Sequence, residues 1–233
     1  MLQHKPISEE IVEEIVHQIR SGKLLVGMKL PPERVFAQQL GVSRTSLREA
    51  LRTLKRMGCV RSAAGDGNYI NTISPEHIAV PFAVMLSQDK VLAADIIKVR
   101  QYLEVHMAWM AAAFATKDQI GRIHDAIMDM QSQIEQGGNG IKGDSLFHLE
   151  IAKASQNRAF SIIQEMLAEL LDESRQATLD IPGQPQKSVQ DHLKIFAAIQ
   201  SGDRTAAKEA MEEHLTKAHQ NLVDADTLIR ERA

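Results

Sequence analysis

Three histidines and one aspartate occupy positions that the spacing of apolar residues assigns to the buried sides of helices. Asp144 and His148 are four residues apart in the segment GDSLFHLEIAKAS. They share their side of the predicted helix with Phe147 and Ile151. An aspartate and a histidine at this spacing lie one helical turn apart and can bind one metal ion together. This pair is therefore the first candidate for chemistry in the sequence.

Two further histidines repeat the pattern on later segments. His192 lies on one stripe with Val189 and Phe196, and His214 lies on another with Met211. One buried histidine is usually a core residue with a hydrogen-bond partner, but three with a carboxylate need a shared explanation. A divalent metal ion supplies it. The residue types suit Zn²⁺, Mn²⁺ or Ni²⁺ without choosing among them, and Zn²⁺ is our first expectation.

One cation also lies on a predicted core face. Arg100 stands beside Ile96 and Leu103 in the segment DIIKVRQYLEVHM. In one interpretation it forms an ion pair within its helix with Glu104, four residues later. In the other, which we favour, it lines a cavity and binds the carboxylate of a ligand, because a planar guanidinium matches a carboxylate with two hydrogen bonds.

The elements that must position these residues are helices. Apolar residues recur at spacings of three and four over most of the chain beyond Leu86, and no convincing strand follows Ile73. We predict helices at 91–115, 117–136, 141–154, 157–178, 187–201 and 204–229. Residues 89–229 should therefore form an all-helical bundle. Residues 73–88, which contain Pro75 and Pro81, are predicted to be a linker.

Residues 1–72 follow a different pattern, with two short helices joined by a turn at Gly41. Such a pair is typical of a helix-turn-helix. The second helix should bury Leu47 and Leu51, and it exposes arginines at every fourth position. Two strand-like pieces around Asp66-Gly67 predict a hairpin, or wing, after it. The arginine stripe alone could be a solvated face, but the whole pattern predicts DNA binding.

The amino-terminal end of that second helix carries the side chains suited to reading bases. A recognition helix directs this end at base edges in the major groove, while its arginines bind phosphate or guanine. The candidate residues there are Ser43, Arg44, Thr45, Ser46 and Arg48.

Charge and composition limit the class of protein. Residues 1–72 hold 11 Lys and Arg against 7 Asp and Glu, whereas the rest of the chain holds 16 against 23. A basic first part and an acidic second part suggest two domains with different partners. The single Cys59 excludes an internal disulfide, and the amino terminus lacks the apolar run of a signal peptide. We expect a cytoplasmic protein without a membrane span.

The motifs LPPER, LGVSRTSLREAL and GDGNYI closely resemble the winged-helix domain of GntR-family bacterial transcription regulators. This resemblance covers about the first third of the chain. It implies DNA contacts from the matching positions, which are Arg34, Ser43, Arg44, Ser46, Arg48 and the wing glycine Gly67.

The helical remainder resembles the FCD ligand-binding domain of the FadR subfamily. Such domains carry an Asp-x-x-x-His pair, here DSLFH, followed by a histidine at the start of a later helix and one in the last helix. The resemblance therefore implies the metal ligands Asp144, His148, His192 and His214. It also implies that Arg100 binds a small carboxylate or sugar acid beside the metal.

Together these patterns predict a mainly α protein, in which a small α/β winged helix-turn-helix precedes an all-helical effector domain. The predicted function is a transcription regulator, a repressor by analogy, that binds a palindromic operator in double-stranded DNA as a homodimer and responds to the acid. One alternative is a regulator whose effector is the metal ion itself. A metal-dependent hydrolase fused to a DNA-binding module is a weaker alternative, and we expect no enzymatic activity.

Overall fold

The computed structural model describes residues 5–231, apart from the side chains of residues 76, 90, 93 and 222–231. It divides the chain into two compact units, one ending at His77 and the other beginning at Ile78. The predicted fold class, a small α/β unit followed by a helical one, is confirmed by the order of the elements. Within the described range, no helix is long and apolar enough to cross a membrane.

The first unit is a helix-turn-helix with a hairpin. Its elements are α1 (Ile7–Arg20), α2 (Glu33–Leu40), α3 (Arg44–Arg56), β1 (Val60–Ala63) and β2 (Gly67–Ile70). Gly41 ends α2 in the left-handed region, at φ 67°, which a glycine adopts without strain and which lets α3 begin three residues later. The inward face of α3 packs on α1 and α2. Its buried residues are Leu47, Ala50, Leu51 and Leu54.

The hairpin is antiparallel, with Val60 opposite Ile70 and Ala63 opposite Gly67. We predicted its turn around Asp66-Gly67. The turn lies at residues 64–66 instead, and Gly67 is already the first residue of β2. The prediction was displaced because Gly65 also suits a turn. Asp66 closes the turn by donating its backbone N–H to the carbonyl of Ala63.

The second unit is a helical bundle. Its helices are α4 (Glu76–Gln88), α5 (Lys90–Phe114), α6 (Lys117–Glu135), α7 (Ile141–Ala154), α8 (Arg158–Leu170), α9 (Asp172–Leu179), α10 (Gln184–Ser201) and α11 (Arg204–Glu231). The long helix α5 packs against α7 and α11, and α10 packs against α6 and α11. The core between them is apolar and fully buried around residues such as Met107, Ile127, Phe147, Ile195 and Met211.

Two sequence predictions about this unit need correction. The predicted linker 73–88 contains helix α4, which includes Pro81. A proline removes one backbone donor, but the helix continues through this apolar stretch. The predicted single helix 157–178 is two helices, α8 and α9, which meet at Leu171. The sequence did not reveal this break, because no glycine or proline marks it.

Helix α7 approaches α6 so closely that one position must be glycine. A Cβ built on Gly143 would lie 2.4 Å from the backbone nitrogen of Met130, and backbone cannot move aside as a flexible side chain can. This contact fixes the position of α7 along α6, and with it the position of Asp144, the next residue.

The variant Gly143→Ala is expected to lower the free energy of unfolding by about 1–3 kcal/mol, because the added methyl group forces α6 and α7 apart. Gly121 on α6 is the matched control, since a Cβ there meets nothing within 4 Å. Gly121→Ala should instead stabilise the protein by about 0.5–1 kcal/mol. Urea denaturation measures both values, and equal effects at the two positions would contradict the close-approach argument.

Candidate metal centre and nucleic-acid interface

The amino-terminal end of α3 presents the short polar side chains and arginines that the sequence predicted. The hydroxyl of Ser43 caps the helix by accepting the backbone N–H of Ser46 at 3.0 Å, and the two hydroxyl oxygens are 2.8 Å apart. Arg44 and Thr45 are exposed on the first turn. Two exposed side chains at a helix N-terminus, one of them cationic, suit contact with an anionic duplex.

Arg48 and Arg34 flank that end from two helices. Arg48 lies on the exposed side of α3, where its Nε and Nη2 donate to Oε2 of Glu33 at 3.1 and 3.0 Å. Arg34 is exposed in the first turn of α2. The pair between Glu33 and Arg48 joins the first turn of α2 to α3.

The wing is organised around Tyr69. Lys29 and the Tyr69 hydroxyl both donate hydrogen bonds to Asp66, and the bond from Lys29 lowers the pKa of that carboxyl. The guanidinium of Arg61 lies 4.7 Å from the centre of the Tyr69 ring. A Cβ at Gly67 would lie 3.2 Å from Cε of Lys29, so the close packing of this lysine favours glycine there.

The second unit brings its four candidate ligands together. Asp144 and His148 lie on α7, His192 on α10 and His214 on α11. One potential ligand atom from each residue lies within 4.8 Å of the others, and all four side chains are buried. Oδ1 of Asp144 is 3.5 Å from Nε2 of His192 and 3.9 Å from Nε2 of His148. The spacing is close to that of ligands sharing one ion, which lie within about 4.2 Å of one another at a metal–nitrogen distance of about 2.1 Å.

The hydrogen bonding of His192 tests whether these residues fit a metal. In the described part of the chain, neither ring nitrogen of His192 has a hydrogen-bond partner, although the residue is 0% exposed. Its ring instead stacks on Phe147, with the centroids 3.9 Å apart. A buried imidazole without a partner costs free energy, and coordination of Nε2 would offset part of that cost. The residues therefore fit a divalent ion.

The charge states of these groups also suit metal binding. Burial and the nearby histidines hold the pKa of His192 well below its usual value, and burial lowers the pKa of His214 to about 3. Both rings are therefore neutral at physiological pH, which is the form that binds metals. Burial alone would raise the pKa of Asp144, but His148 and Arg175 hold it below its usual value, so it remains a carboxylate.

Arg100 forms the ion pair of the first interpretation and lines the cavity that the second requires. Its Nε donates to Oε1 of Glu104 at 2.8 Å, which is the predicted pair within α5. It also lines a cavity beside Asp144 and His214 that is partly open to solvent. The bond to Glu104 uses Nε, and Nη2 makes only a long contact of 3.5 Å with Nε2 of His148. The two terminal nitrogens of Arg100 can therefore still bind a ligand in the cavity.

Two buried charged residues lie at this site besides the predicted site residues: Arg175, which the sequence did not reveal, and Glu104, which was predicted only as an ion-pair partner of Arg100. Arg175 on α9 is 4% exposed and lines the same cavity, with Nη1 3.0 Å from Oγ of Ser145 and 3.5 Å from Oδ2 of Asp144. Glu104 is 1% exposed and contacts His148 as well as Arg100. A signal existed for Glu104, which follows Arg100 by four residues on a core-facing side. No sequence signal existed for Arg175, because its burial depends on the direction of α9, which the break at Leu171 sets.

Family profiles match both units. The profile of the gntR family of bacterial regulatory proteins matches residues 7–70, and that of the FCD domain matches residues 95–217. The first range covers the helix-turn-helix and the wing. The second covers Arg100, Glu104 and all four candidate metal ligands.

Similar proteins extend over nearly the whole chain. The HTH-type transcriptional regulator LutR of Bacillus subtilis is 34% identical over 203 residues, which cover 85% of this chain and 93% of that protein. A putative L-lactate dehydrogenase operon regulatory protein of Escherichia coli is 34% identical over 226 residues, covering 91% and 85%. Among solved structures, a Streptococcus agalactiae GntR protein superposes with a TM-score of 0.67 at 26% identity, covering 91% and 99%.

Proposed function

Since this chain is a DNA-binding transcription regulator that belongs to the GntR family and carries an FCD domain, we propose that its helical domain binds a divalent metal ion together with a small organic or sugar acid. Occupancy of that site would change how a homodimer binds a palindromic operator. The proposed direction of regulation is repression. One observation carries the proposal, which is the buried cluster of three histidines and an aspartate beside a cavity lined by two arginines.

The division of roles within the site follows from the charges. Asp144, His148, His192 and His214 would hold the ion, for which Zn²⁺ is our first candidate. A bound ion would attract an anionic ligand as a Lewis acid. Arg100 offers its terminal nitrogens to a carboxylate in the cavity, while Ser174, Thr178 and Ser188 provide polar side chains along its wall. This combination of a cation and polar groups suits a hydroxylated acid.

The DNA-contacting residues are proposed on the geometry of the first unit. Arg44, Thr45 and Ser46 lie at the end of α3 that would enter the major groove, Ser43 caps that end, and Arg48 and Arg34 lie beside it. The wing with Gly67 would lie along the duplex backbone. The palindrome follows from the proposed two-fold symmetry of the protein.

Exposed apolar side chains support the homodimer. On α4 and α5, Ile78, Val80, Val91 and Tyr102 are between 51% and 79% exposed. Several such residues on neighbouring stretches are expected where another chain covers them. Sedimentation equilibrium of the purified protein measures the oligomeric state, and a monomer at micromolar concentration would contradict the dimer.

The variant Arg100→Lys tests the acid-binding half of the proposal. It keeps the charge but loses the planar guanidinium, so acid binding at saturating Zn²⁺ should weaken by roughly 10- to 150-fold. Calorimetric titration with L-lactate, pyruvate and D-gluconate measures this loss, while operator affinity is followed with each acid. Metal affinity without acid is measured in parallel, because Arg100 also bonds Glu104 beside His148.

The same titrations separate the alternatives. If Zn²⁺ alone sets operator affinity and no acid adds to it, the ion is the effector and the role of Arg100 is wrong.

The hydrolase alternative has less support. The buried Glu104 is the carboxylate at the site that could act as a base. Burial alone would raise its pKa, but Arg100 and His148 hold it well below its usual value, which makes it a weak proton acceptor. The relatives named above are transcriptional regulators.

A further inference from the structure

We propose that Glu104 is a positioning residue for the metal centre, which orients His148 by accepting a hydrogen bond from its Nδ1–H and so directs Nε2 toward the ion. The inference rests on the proposed metal binding and adds to it a residue outside the ligand set. It also predicts which of the carboxylates near the ligands controls metal affinity.

The contact between Glu104 and His148 is short and buried. Oε2 of Glu104 lies 2.6 Å from Nδ1 of His148, and the side chains are 2% and 0% exposed. The ring would have to turn to align its N–H with this oxygen, because neither atom has a hydrogen-bond partner at the present angle. A deprotonated carboxylate can only accept, so the proton must reside on Nδ1.

That tautomer suits metal binding. With the proton on Nδ1, Nε2 of His148 keeps its lone pair and faces Asp144, whose Oδ1 is 3.9 Å away. Nη2 of Arg100, which can only donate, also lies 3.5 Å from Nε2, as expected if that nitrogen is the acceptor. A histidine whose second nitrogen donates to a carboxylate is the usual arrangement behind a metal ligand.

Helix packing holds Glu104 in this orientation. Its other oxygen, Oε1, accepts from Nε of Arg100 at 2.8 Å and from Nε2 of Gln164 at 2.9 Å. Gln164 belongs to α8 and is 0% exposed. The carboxylate is therefore fixed from two helices and cannot rotate freely. With Oε1 occupied in this way, Oε2 is directed at His148.

The simpler explanation is that Glu104 only neutralises buried arginines. Arg100 is bonded to it, and Nη2 of Arg175 lies 3.7 Å from Oε1. Neutralisation accounts for a carboxylate at this place but not for the short contact between its second oxygen and a candidate metal ligand. The two explanations predict different effects on metal affinity, because neutralisation acts on folding stability whereas orientation acts on the ion.

Asp191 provides a matched control for the effect of charge. It is also buried next to a candidate ligand and also pairs with two cations, Lys194 and Lys217. Its Oδ2 lies 4.0 Å from Nδ1 of His214, which is too far for a hydrogen bond. Removing this carboxylate changes the local charge without removing an orienting bond.

The experiment compares full-length wild-type protein, Glu104→Gln and Asp191→Asn. Each is stripped of metal and titrated with Zn²⁺ against a competing chelator, with no acid present. Glu104→Gln is expected to lower metal affinity by about 10- to 100-fold, whereas Asp191→Asn should change it by less than about 3-fold. Loading with Co²⁺ gives a second readout, since its visible spectrum should shift in Glu104→Gln and not in Asp191→Asn.

If Glu104→Gln does not fold, Glu104→Asp decides the question. It keeps the charge that offsets the arginines but withdraws the oxygen from His148 by one methylene, so metal affinity should still fall. Equal losses for the Glu104 and Asp191 variants would show a charge effect and overturn the inference, as would unchanged affinity in Glu104→Gln. A wild-type protein that binds no metal would instead refute the proposed function, and the inference with it.

Discussion

The variant His192→Ala is expected to bind no metal at stoichiometric concentration and to lose the stabilisation that the ion provides. Adding Zn²⁺ to metal-free wild-type protein at about 100 times its Kd should stabilise it by about 2.7 kcal/mol. The same addition should leave the melting temperature of His192→Ala unchanged. The physical reason is that the ring of His192 is fully buried and has no hydrogen-bond partner among the described residues, so its coordination is what a bound ion would add.

The measurements are metal content after dialysis and thermal unfolding with and without Zn²⁺. His124→Ala is the control, because His124 is an exposed imidazole on α6 outside the candidate cluster. It should keep both the metal and the shift in melting temperature. DNA binding by metal-free His192→Ala should resemble that of metal-free wild-type protein, since the substitution lies in the second unit. Unchanged metal stoichiometry in His192→Ala would refute the metal site.

Arg44→Ala is expected to weaken binding to the operator by about 1–3 kcal/mol for each base that the arginine recognises, and to relax the preference for one base pair. Arg44 is the first residue of α3 and is exposed beside the capping Ser43, at the end of the helix proposed to face base edges. Removing its side chain deletes hydrogen bonds to bases but leaves the core of the unit intact.

Competition binding against operators with single base-pair changes measures both effects, at one constant salt concentration. Arg20→Ala is the control, because Arg20 is also exposed in the same unit but lies at the end of α1. It should leave base preference unchanged. If Arg44→Ala binds the operator as tightly as wild-type protein, the assignment of α3 as the recognition helix is wrong.

Much of the first unit could be predicted because its signals are local. Gly41 between two amphipathic segments predicts a helix-turn-helix from a few neighbouring residues, and α2 and α3 lie on either side of it as predicted. The turn of the wing was placed too late because two glycines, Gly65 and Gly67, compete within three positions. Local sequence identified the hairpin, and its register depended on the pairing of β1 with β2.

The helices that carry the candidate metal ligands could also be predicted, but the junctions between helices were harder to predict. Helices α7 and α11 begin at the predicted residues 141 and 204, whereas α10 begins at Gln184, three residues before the predicted start. The break between α8 and α9 carries no glycine or proline, and α4 continues through Pro81. At the break, the packing of α8 and α9 against α7 outweighs the weak local preferences on which the prediction depended.

The sequence by itself determined which side chains face the interior, because a helix of fixed period places Asp144 and His148 on one side wherever that helix lies. It also determined, through motif resemblance, the family and the types of domain. The tertiary structure decided which buried side chains meet. Glu104 reaches His148, and Arg175 reaches Asp144, only because α5, α7 and α9 pack together. Periodicity carries no information about such contacts, since they join residues 44 and 31 positions apart along the chain.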